Sequence, residues 1–529
     1  MGTKITPRGG SPVLAGLADA VLQPGFVGAT LPDWVRRRLA EGLGGVTLYA
    51  GNLLDSGQAA ALIRQIRAEN PHAVIAVDEE AGDVTRLEAY GGSTRPGNLA
   101  LGAADDPALT EAVARGVGGD LAELGFTLTY APAVDVDSDL DNPVIGTRAF
   151  GSDPELVARH AAAWVRGLQS TGVAACAKHF PGHGATAVDS HDELPVVTWP
   201  ADDLAATALP PFRAAVEAGV RAVMTGHLLV PAYDAGSPAT TSRAVVELLR
   251  GDLGFDGLIV TDGIEMPAVS RRHGLGRTAV LALAAGADAV CVGGESRSPG
   301  VVGLLRNTIM AAVMDGTLPE ERLAEAAARV RRLTDWSAAA KADSARANAA
   351  EPSTVATSIT GANAAGASPV QASTTGTSAA GMSPGQAAVA AARRALRVTV
   401  RRSPAVSGPP HVIELDTPTN LAVDPNTPWG LAAPLARLMP GTTVTRLTGP
   451  DPVDPAPDRP VVVAIRTAYR HAWAAQAVDR ILARRPDAVV VEMGVPGLDC
   501  PGAVTVATFG GTALCAQVAA EAIAALLDP

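Results

Sequence analysis

The sequence predicts an α/β protein: a (β/α)8 TIM-like barrel over residues 1–336, a flexible linker over 337–385 and a smaller α/β sandwich domain over 386–529. Three observations carry this prediction. Eight short runs rich in Val, Ala, Ile and Leu recur before residue 300, with amphipathic helical stretches between them. Runs that are apolar throughout belong to parallel strands buried on both faces. Ionisable residues stand where those runs end, and a barrel gathers side chains from separate strands on that rim. After Trp336 the composition shifts to Ala, Ser, Thr and Gly with almost no large apolar side chain, which cannot form a core and reads as a mobile linker. A doubly wound open sheet competes with the barrel, but it usually carries a Gly-rich nucleotide turn after its first strand. None follows residues 22–28.

In chain order, strands are expected over 22–28, 45–50, 73–78, 127–136, 174–180, 222–227, 258–261 and 287–293. Helical periodicity is clearest over 33–41, 59–69, 111–124, 154–169 and 204–218, and a last helix covers 318–336. Beyond the linker come a helix over 386–395 and a strand over 396–400. Strands over 411–415, 461–466, 488–491 and 503–507 then mix with helices over 474–483 and 513–527. That mixture predicts a second α/β layer structure. His411, His471 and Trp473 show no evident partner there and read as packing or surface residues.

At 529 residues the chain exceeds one ordinary domain, and 47% hydrophobic with 18% charged residues suffices for sizeable cores. A net charge of -12 argues against nucleic acid or an anionic membrane as partner, and solubility explains it. The four cysteines, Cys176, Cys291, Cys500 and Cys515, have neither close pairing nor metal-ligand spacing. Three lie in or beside apolar runs, as buried thiols of a reducing compartment do. No run reaches the ~18 apolar residues of a membrane span. Lys4 and Arg8 precede an apolar stretch in the manner of a signal peptide, but Asp19 interrupts it and cleavage would remove the first strand. Residues 1–6 fit a myristoylation pattern too short to weigh. The expected location is the cytoplasm.

The densest chemistry lies in residues 178–191, where Lys178, His179, His183, Asp189 and His191 follow directly on the apolar run 173–177. Imidazole titrates near working pH and a neighbouring carboxylate raises its basicity, which is what proton transfer needs. His183, set between Gly182 and Gly184, is expected to brace the loop rather than touch a ligand. Asp262 follows the run 258–260, and Asp78 ends the run 73–77. One rim carboxylate can attack or stabilise a cationic carbon while another holds hydroxyls. Asn52, Asp135 and His227 end further strands, so polar groups from several strands converge on one rim.

Together these motifs resemble glycoside hydrolase family 3, and within it the β-N-acetylglucosaminidase branch. The resemblance is carried by Lys178-His179-Phe180-Pro181-Gly182-His183-Gly184 with Asp189-Ser190-His191. It is supported by residues 142–151 (Asn-Pro-Val-Ile-Gly-Thr-Arg-Ala-Phe-Gly), by Met224-Thr225-Gly226-His227 and by Thr261-Asp262. It covers most of residues 20–336 and, more weakly, the C-terminal domain. What it implies is an exo-acting, retaining β-N-acetylhexosaminidase. Asp262 would be the nucleophile of a covalent glycosyl intermediate, and His191 paired with Asp189 the general acid/base. Asp78, Arg86, Arg148, Lys178, His179 and His227 would line the terminal-sugar pocket. The implied partner is a small β-linked N-acetylglucosamine glycoside such as a cell-wall fragment, with no cofactor and no metal.

A retaining site needs a carboxylate on one face of the sugar and a proton donor on the other. An imidazole donor, with an unperturbed pKa near ~6.5, moves the proton transfer towards neutrality, and Asp189 should raise it. Neutral His presents no negative charge to an incoming anion, so phosphate, giving a phosphorylase, stays open beside water as acceptor. The chain departs from the family pattern at three places. Ala81-Gly82 replaces two glycines, Asp83 replaces a residue often basic or small, and Gly263 follows Asp262 where Ala or Asp is usual.

Four other readings compete. A metal-dependent barrel hydrolase could use His179, His183, His191 and His227, but it commonly starts with His-x-His on the first strand, absent here. Residues 135–141 mimic a calcium loop without its glycine and its terminal glutamate, and read as a structural loop. A β-glucosidase or β-xylosidase of the same family would take its acid/base from the second domain, against which Asp189-Ser190-His191 argues. A sugar-binding protein without turnover has no need of both Asp262 and His191.

Overall fold

The computed structural model describes residues 12–186, 188–189, 193–293, 297–350, 381–419, 421–497 and 502–528, with the backbone alone for 345 and 347–350. Eight parallel strands form where the apolar runs lie: β1 (Leu22–Pro24), β2 (Gly45–Leu48), β3 (Val74–Val77), β4 (Leu128–Thr129), β5 (Cys176–Phe180), β6 (Ala222–Thr225), β7 (Leu258–Thr261) and β8 (Val290–Val292). Ladders join β2–β3–β4, β5–β6–β7 and β1–β8. Hydrogen bonds join the remaining neighbours: among them Thr129 N to Ala174 O at 3.0 Å between β4 and β5 and Thr261 N to Ala289 O at 3.0 Å between β7 and β8, while β1 and β2 lie side by side with Gly44 N bonded to Asp19 O at 2.9 Å just ahead of them. The sheet is thus closed as the sequence predicts.

Alternate residues of each strand serve two cores. Val74, Ala76, Leu128, Cys176, Met224 and Val260 pack together inside the barrel. Ile75, Val77, Ala177, Val223 and Ile259 face the surrounding helices. This double burial is why the strands read as unbroken apolar runs. Val330, Leu333 and Trp336 of the helix Glu320–Ala350 pack against the interior cluster. Cys176 and Cys291 are buried there, which pushes their thiols up, and Cys515 is buried as well. Cys500 lies outside the described residues.

Four expectations need adjustment. The strand expected over 127–136 is regular only at Leu128–Thr129, because Pro132 has no N–H to give; pairing resumes with Val134 N to Lys178 O at 2.7 Å. The helix expected over 204–218 is two helices, Ala201–Thr207 and Leu209–Glu217, divided before Pro210 and Pro211. Residues 337–350, expected as linker, continue the helix Glu320–Ala350 on Ala-rich sequence that favours it. Its Ser337 Oγ donates to Gly172 O at 2.6 Å, tying it to the barrel. The remainder, 351–380, lies outside the described residues. The helix Pro384–Ala395, assigned by sequence to the second domain, lays Ala387, Ala388 and Ala391 into the barrel's outer core.

The C-terminal domain is a six-stranded sheet in the order β11-β10-β12-β13-β14-β9, parallel except for β9. Its strands are β9 (Arg397–Val400), β10 (His411–Leu415), β11 (Thr443–Leu447), β12 (Val461–Ile465), β13 (Val489–Glu492) and β14 (Val504–Ala507). Helix Ala513–Leu527 covers one face and helix Ala472–Arg484 the other, giving the expected sandwich. Edge strand β11 escaped the sequence reading because it is largely exposed and not apolar throughout. No helix among the described residues is long and apolar enough to cross a membrane.

Candidate active site

The loop after β3 is organised by a buried carboxylate. Glu79 Oε2 accepts from Thr85 Oγ1 at 3.0 Å, Arg86 N at 2.8 Å and Leu87 N at 3.0 Å, and its Oε1 from Ala81 N at 3.1 Å. Burial pushes this carboxyl up against those donors. Ala81 takes φ 61°, so the alanine holds a conformation that suits glycine. Gly82 is required, because a Cβ there would meet Gly97 Cα at 2.4 Å. Asp83, the unusual residue of this loop, accepts from Thr147 Oγ1 at 2.9 Å and from Gly511 N of the second domain at 2.8 Å. The departure from the family pattern is a tie between domains.

Asp78 and Glu80, two residues apart, reach the same cation. Lys178 Nζ on β5 lies 2.5 Å from Asp78 Oδ1 and 2.6 Å from Glu80 Oε1. Arg148 grips Glu80 with two bonds, Nε at 3.0 Å and Nη2 at 2.7 Å. Burial opposes the charge on Glu80, but Arg148 and Lys178 outweigh it and hold the carboxyl well below its usual range. Burial likewise opposes the charge on Lys178, and Asp78 with Glu80 raises its pKa nonetheless. Arg86 Nη2 sits 3.5 Å from Asp78 Oδ2 and donates to Ala422 O of the second domain at 2.8 Å.

His179 is clamped between Asp135 and Arg148. Arg148 Nη2 can only donate, so Nε2 of His179 accepts at 3.4 Å and its Nδ1 donates to Asp135 Oδ2 at 2.8 Å. Asp135 also accepts the backbone N–H of His183 at 2.7 Å. The calcium-like run therefore begins with a carboxylate that organises the histidine turn. His183 is 2% exposed, and neither ring nitrogen has a hydrogen-bond partner among the described residues. Burial, then His179, lowers its pKa to about 4. The backbone N–H and carbonyl of His183 are both bonded, to Asp135 and from Asn142 Nδ2 at 2.8 Å, and the residue borders the cavity.

Asp262 follows β7, half-buried, with its N–H on Thr225 O at 3.1 Å and its Oδ1 accepting from Gly263 N at 2.7 Å. At Gly263 an added Cβ would stand 2.7 Å from Glu265 Oε1, so this glycine leaves room for that carboxylate. His227 lies deeper than expected. It is fully buried and absent from the cavity lining, with Nε2 donating to Gly263 O at 2.9 Å and Nδ1 2.8 Å from Thr240 Oγ1. Its Nε2 bond ties the backbone beside Asp262. Among the described residues no group of three or more His, Cys, Asp or Glu is placed to hold a metal ion.

Asp78, Arg86, Arg148, Lys178, His179, His183 and Asp262 share one cavity of ≈ 680 Å³. Sequence reasoning missed Tyr49, Glu265 and Arg297 of this cavity, and Glu80, which bonds two of its residues; the i, i+2 spacing of Asp78 and Glu80 was the available signal for the last. It also left open whether the second domain reaches the site. It does: Leu421, Ala422, Val423, Asp424 and Pro425 line the cavity. Leu421 and Val423 also border an adjoining chamber of ≈ 690 Å³, lined by Asp189, Thr467, Tyr469 and Arg470 among others. His191 lies outside the described residues.

The carboxylates, cations and imidazoles gather on one rim of a closed α/β barrel, where barrel enzymes carry their active sites. The family follows from comparison. Residues 30–333 match the glycosyl hydrolase family 3 N-terminal domain, and the chain belongs to that family. It is 38% identical over 262 residues to "Beta-hexosaminidase LpqI" of Mycobacterium tuberculosis, a match covering 48% of this chain and 66% of that protein, just under two thirds. It is 36% identical over 286 residues to a "Beta-hexosaminidase" of Bordetella avium, covering 52% of this chain and 81% of the relative. A family 3 β-N-acetylglucosaminidase from Paenibacillus sp. FPU-7 superposes with a TM-score of 0.81 at 29% identity over 98% of both chains, so the two-domain architecture is shared.

Proposed function

We propose that the protein is a retaining, exo-acting β-N-acetylhexosaminidase that releases terminal β-linked N-acetylglucosamine. The observation that carries this reading is the shared cavity: Asp262 lines it together with Asp78, Lys178 and Arg148, the last two bonded to the buried Glu80. Fixed, charge-assisted donors and acceptors suit the hydroxyls of a chain-end sugar. The names of the relatives and of the Paenibacillus enzyme support the same activity.

In this reading an Asp262 oxygen attacks the anomeric carbon while the bond to the leaving-group oxygen breaks, and protonated His191 gives that oxygen its proton. Water then attacks the glycosyl ester, His191 takes the water's proton, and the Asp262 carboxylate departs. Asp189 steadies the imidazolium and aims it. His227 keeps the backbone carbonyl of Gly263, and with it the Asp262 turn, in place.

Nitrophenol release from the aryl β-glycosides of N-acetylglucosamine and of glucose, with and without phosphate, tests the reading. A strong preference for the N-acetyl sugar is expected. A phosphate-dependent rate with sugar 1-phosphate as product would make the enzyme a phosphorylase. Turnover of neither sugar would overturn the proposal.

A further inference from the structure

A second cluster of charge lies at the other end of the barrel. The catalytic cavity sits beyond the ends of the strands, whereas the chain enters β6 through residues 219–221 and β7 through residues 254–257. Helix Glu320–Ala350 crosses that entry face, with Val330, Leu333 and Trp336 packed on the barrel's interior cluster. These turns and this helix border a cavity of ≈ 370 Å³. Among the described residues its lining includes three cations, Arg221, Arg329 and Arg332, one carboxylate, Asp256, and two large aromatic residues, Phe255 and Trp336.

Charge does not balance here. Arg329 and Arg332 share Asp256 at 3.0 and 3.7 Å, and that carboxylate is itself 78% exposed. Arg329 also reaches Glu325 at 2.5 Å and the buried Asp288 at 3.5 Å, but Arg250 and Arg322 each hold Asp288 at 2.5 Å already. Arg221 forms no ion pair among the described residues. Its guanidinium lies 4.7 Å over the Trp336 ring, a contact that steadies a cation without neutralising it. Five arginines thus stand with three carboxylates, in a chain whose net charge is -12. Burial lowers the pKa of Arg250, and Arg329 and Arg322 press the same way against Asp288. The backbone beneath these cations is fixed. Arg221 N donates to Gln169 Oε1 at 3.0 Å and its carbonyl accepts from Leu258 N at 3.0 Å. Arg250 Nη1 donates to the carbonyls of Phe255 at 2.8 Å and Gly257 at 2.7 Å, which ties down the turn before β7.

We propose that this cavity is an anion site at the closed end of the barrel, binding the phosphate group of a small ligand on Arg221, Arg329 and Arg332. Two surplus positive charges match a phosphate dianion, and guanidinium forks pair with phosphate oxygens through two parallel bonds. The volume is that of a small-molecule site, and Phe255, Leu333 and Trp336 offer apolar surface to an organic remainder. Inorganic phosphate and a phosphate monoester share this chemistry. The site lies on the face opposite the catalytic rim, so it is distinct from any phosphate that acts as acceptor in turnover.

The test is isothermal titration of the full chain with inorganic phosphate and with glucose 6-phosphate, at ionic strength matched by sodium chloride. Saturable binding of at least one probe is expected, with Kd raised about 10-fold or more in Arg221→Ala, the effect of losing one charged hydrogen-bonding partner. Arg332→Ala, at a position 59% exposed, should weaken binding in the same way, and it carries the reading if the Arg221 variant does not fold. Unchanged turnover of nitrophenyl β-N-acetylglucosaminide marks the variants as folded, since both residues lie away from the catalytic rim. Equal affinity for the two probes identifies phosphate itself as the ligand, and a tighter Kd for the ester shows that its organic part is bound as well. No saturable binding of either probe by the wild type would overturn the proposal. So would a Kd unchanged in both variants, because it would place the anion elsewhere, the catalytic cavity included.

Discussion

Replacing Glu80 by Gln asks whether the ion cluster holds the rim together. Glu80 is 3% exposed and bonds Lys178 at 2.6 Å and Arg148 at 2.7 and 3.0 Å. Glu80→Gln keeps the shape and removes the charge, leaving Lys178 bonded to Asp78 alone and Arg148 without its carboxylate. Breaking a buried pair from one side costs about 3–5 kcal/mol, because the uncompensated cation stays buried. Urea unfolding should show that loss in the midpoint with the slope unchanged. The sign of the pH dependence follows from the depressed carboxyl. Its contribution is present above the unfolded carboxylate range, near ~4.3, and is lost only as the pH falls further through the folded value. The variant should therefore lag behind the wild type equally at pH 6 and pH 8. A loss below about 1 kcal/mol would refute the argument, since it would put this pair in the class of solvent-screened ones.

Asp262→Ala should cut turnover by ~10⁴-fold or more, as removal of an essential catalytic group does; residual activity within tenfold of the wild type would remove Asp262 from the nucleophile's role. His191→Ala should slow natural glycosides far more than aryl glycosides with good leaving groups, and equal losses on both would end its role as acid. A thiazoline mimic of acetamide participation should inhibit poorly, because an enzyme carboxylate takes the nucleophile's place; strong inhibition would contradict the covalent mechanism. The depressed pKa of His183, about 4 when folded against ~6.5 unfolded, means the unfolded chain binds more protons between those values. Stability should thus fall as the pH drops from 6.5 towards 4, by roughly 2 kcal/mol at pH 5, and His183→Gln should lack that component in urea midpoints.

Much of this was legible because it obeys strong local rules. Strands buried on both faces write themselves as unbroken apolar runs, and Asp78, Lys178 and Asp262 stand directly at their ends. What escaped the sequence depends on non-local contact. The stretch after Trp336 is poor in large apolar residues, so periodicity cannot distinguish a linker from an Ala-rich helix; docking of Ser337 on Gly172 decides it. His227 carries the same motif signal as His179, yet Thr240 and Gly263 draw it beneath the wall. Glu80 looked like one acid among several until Arg148, 68 residues away, closed on it. Ala422 could not be placed at the site from sequence at all, because its carbonyl reaches Arg86 across 336 residues of chain.

The second domain's contacts show why a barrel rim benefits from it. They fall on loops that carry the site: Gly511 N on Asp83 and Ala422 O on Arg86 in the loop after β3, and the Arg470 guanidinium on Leu140 O in the loop after β4. Loops left to themselves are mobile, and a pocket built on them gives up ordering entropy each time it binds. Docking supplies that order in advance. Asp83→Ala tests the effect: Asp83 lines the adjoining chamber rather than the ≈ 680 Å³ cavity, and its hydrogen bonds go to Thr147 and Gly511. Losing the buried acceptor should cost about 1–3 kcal/mol. Expressed in the pocket rather than in global unfolding, at 1.4 kcal/mol per tenfold, that becomes a KM raised on the order of 10-fold with kcat little changed. An unchanged KM alongside lowered stability would show that the second domain merely leans on the barrel, and that the loop after β3 keeps its form through Glu79 alone.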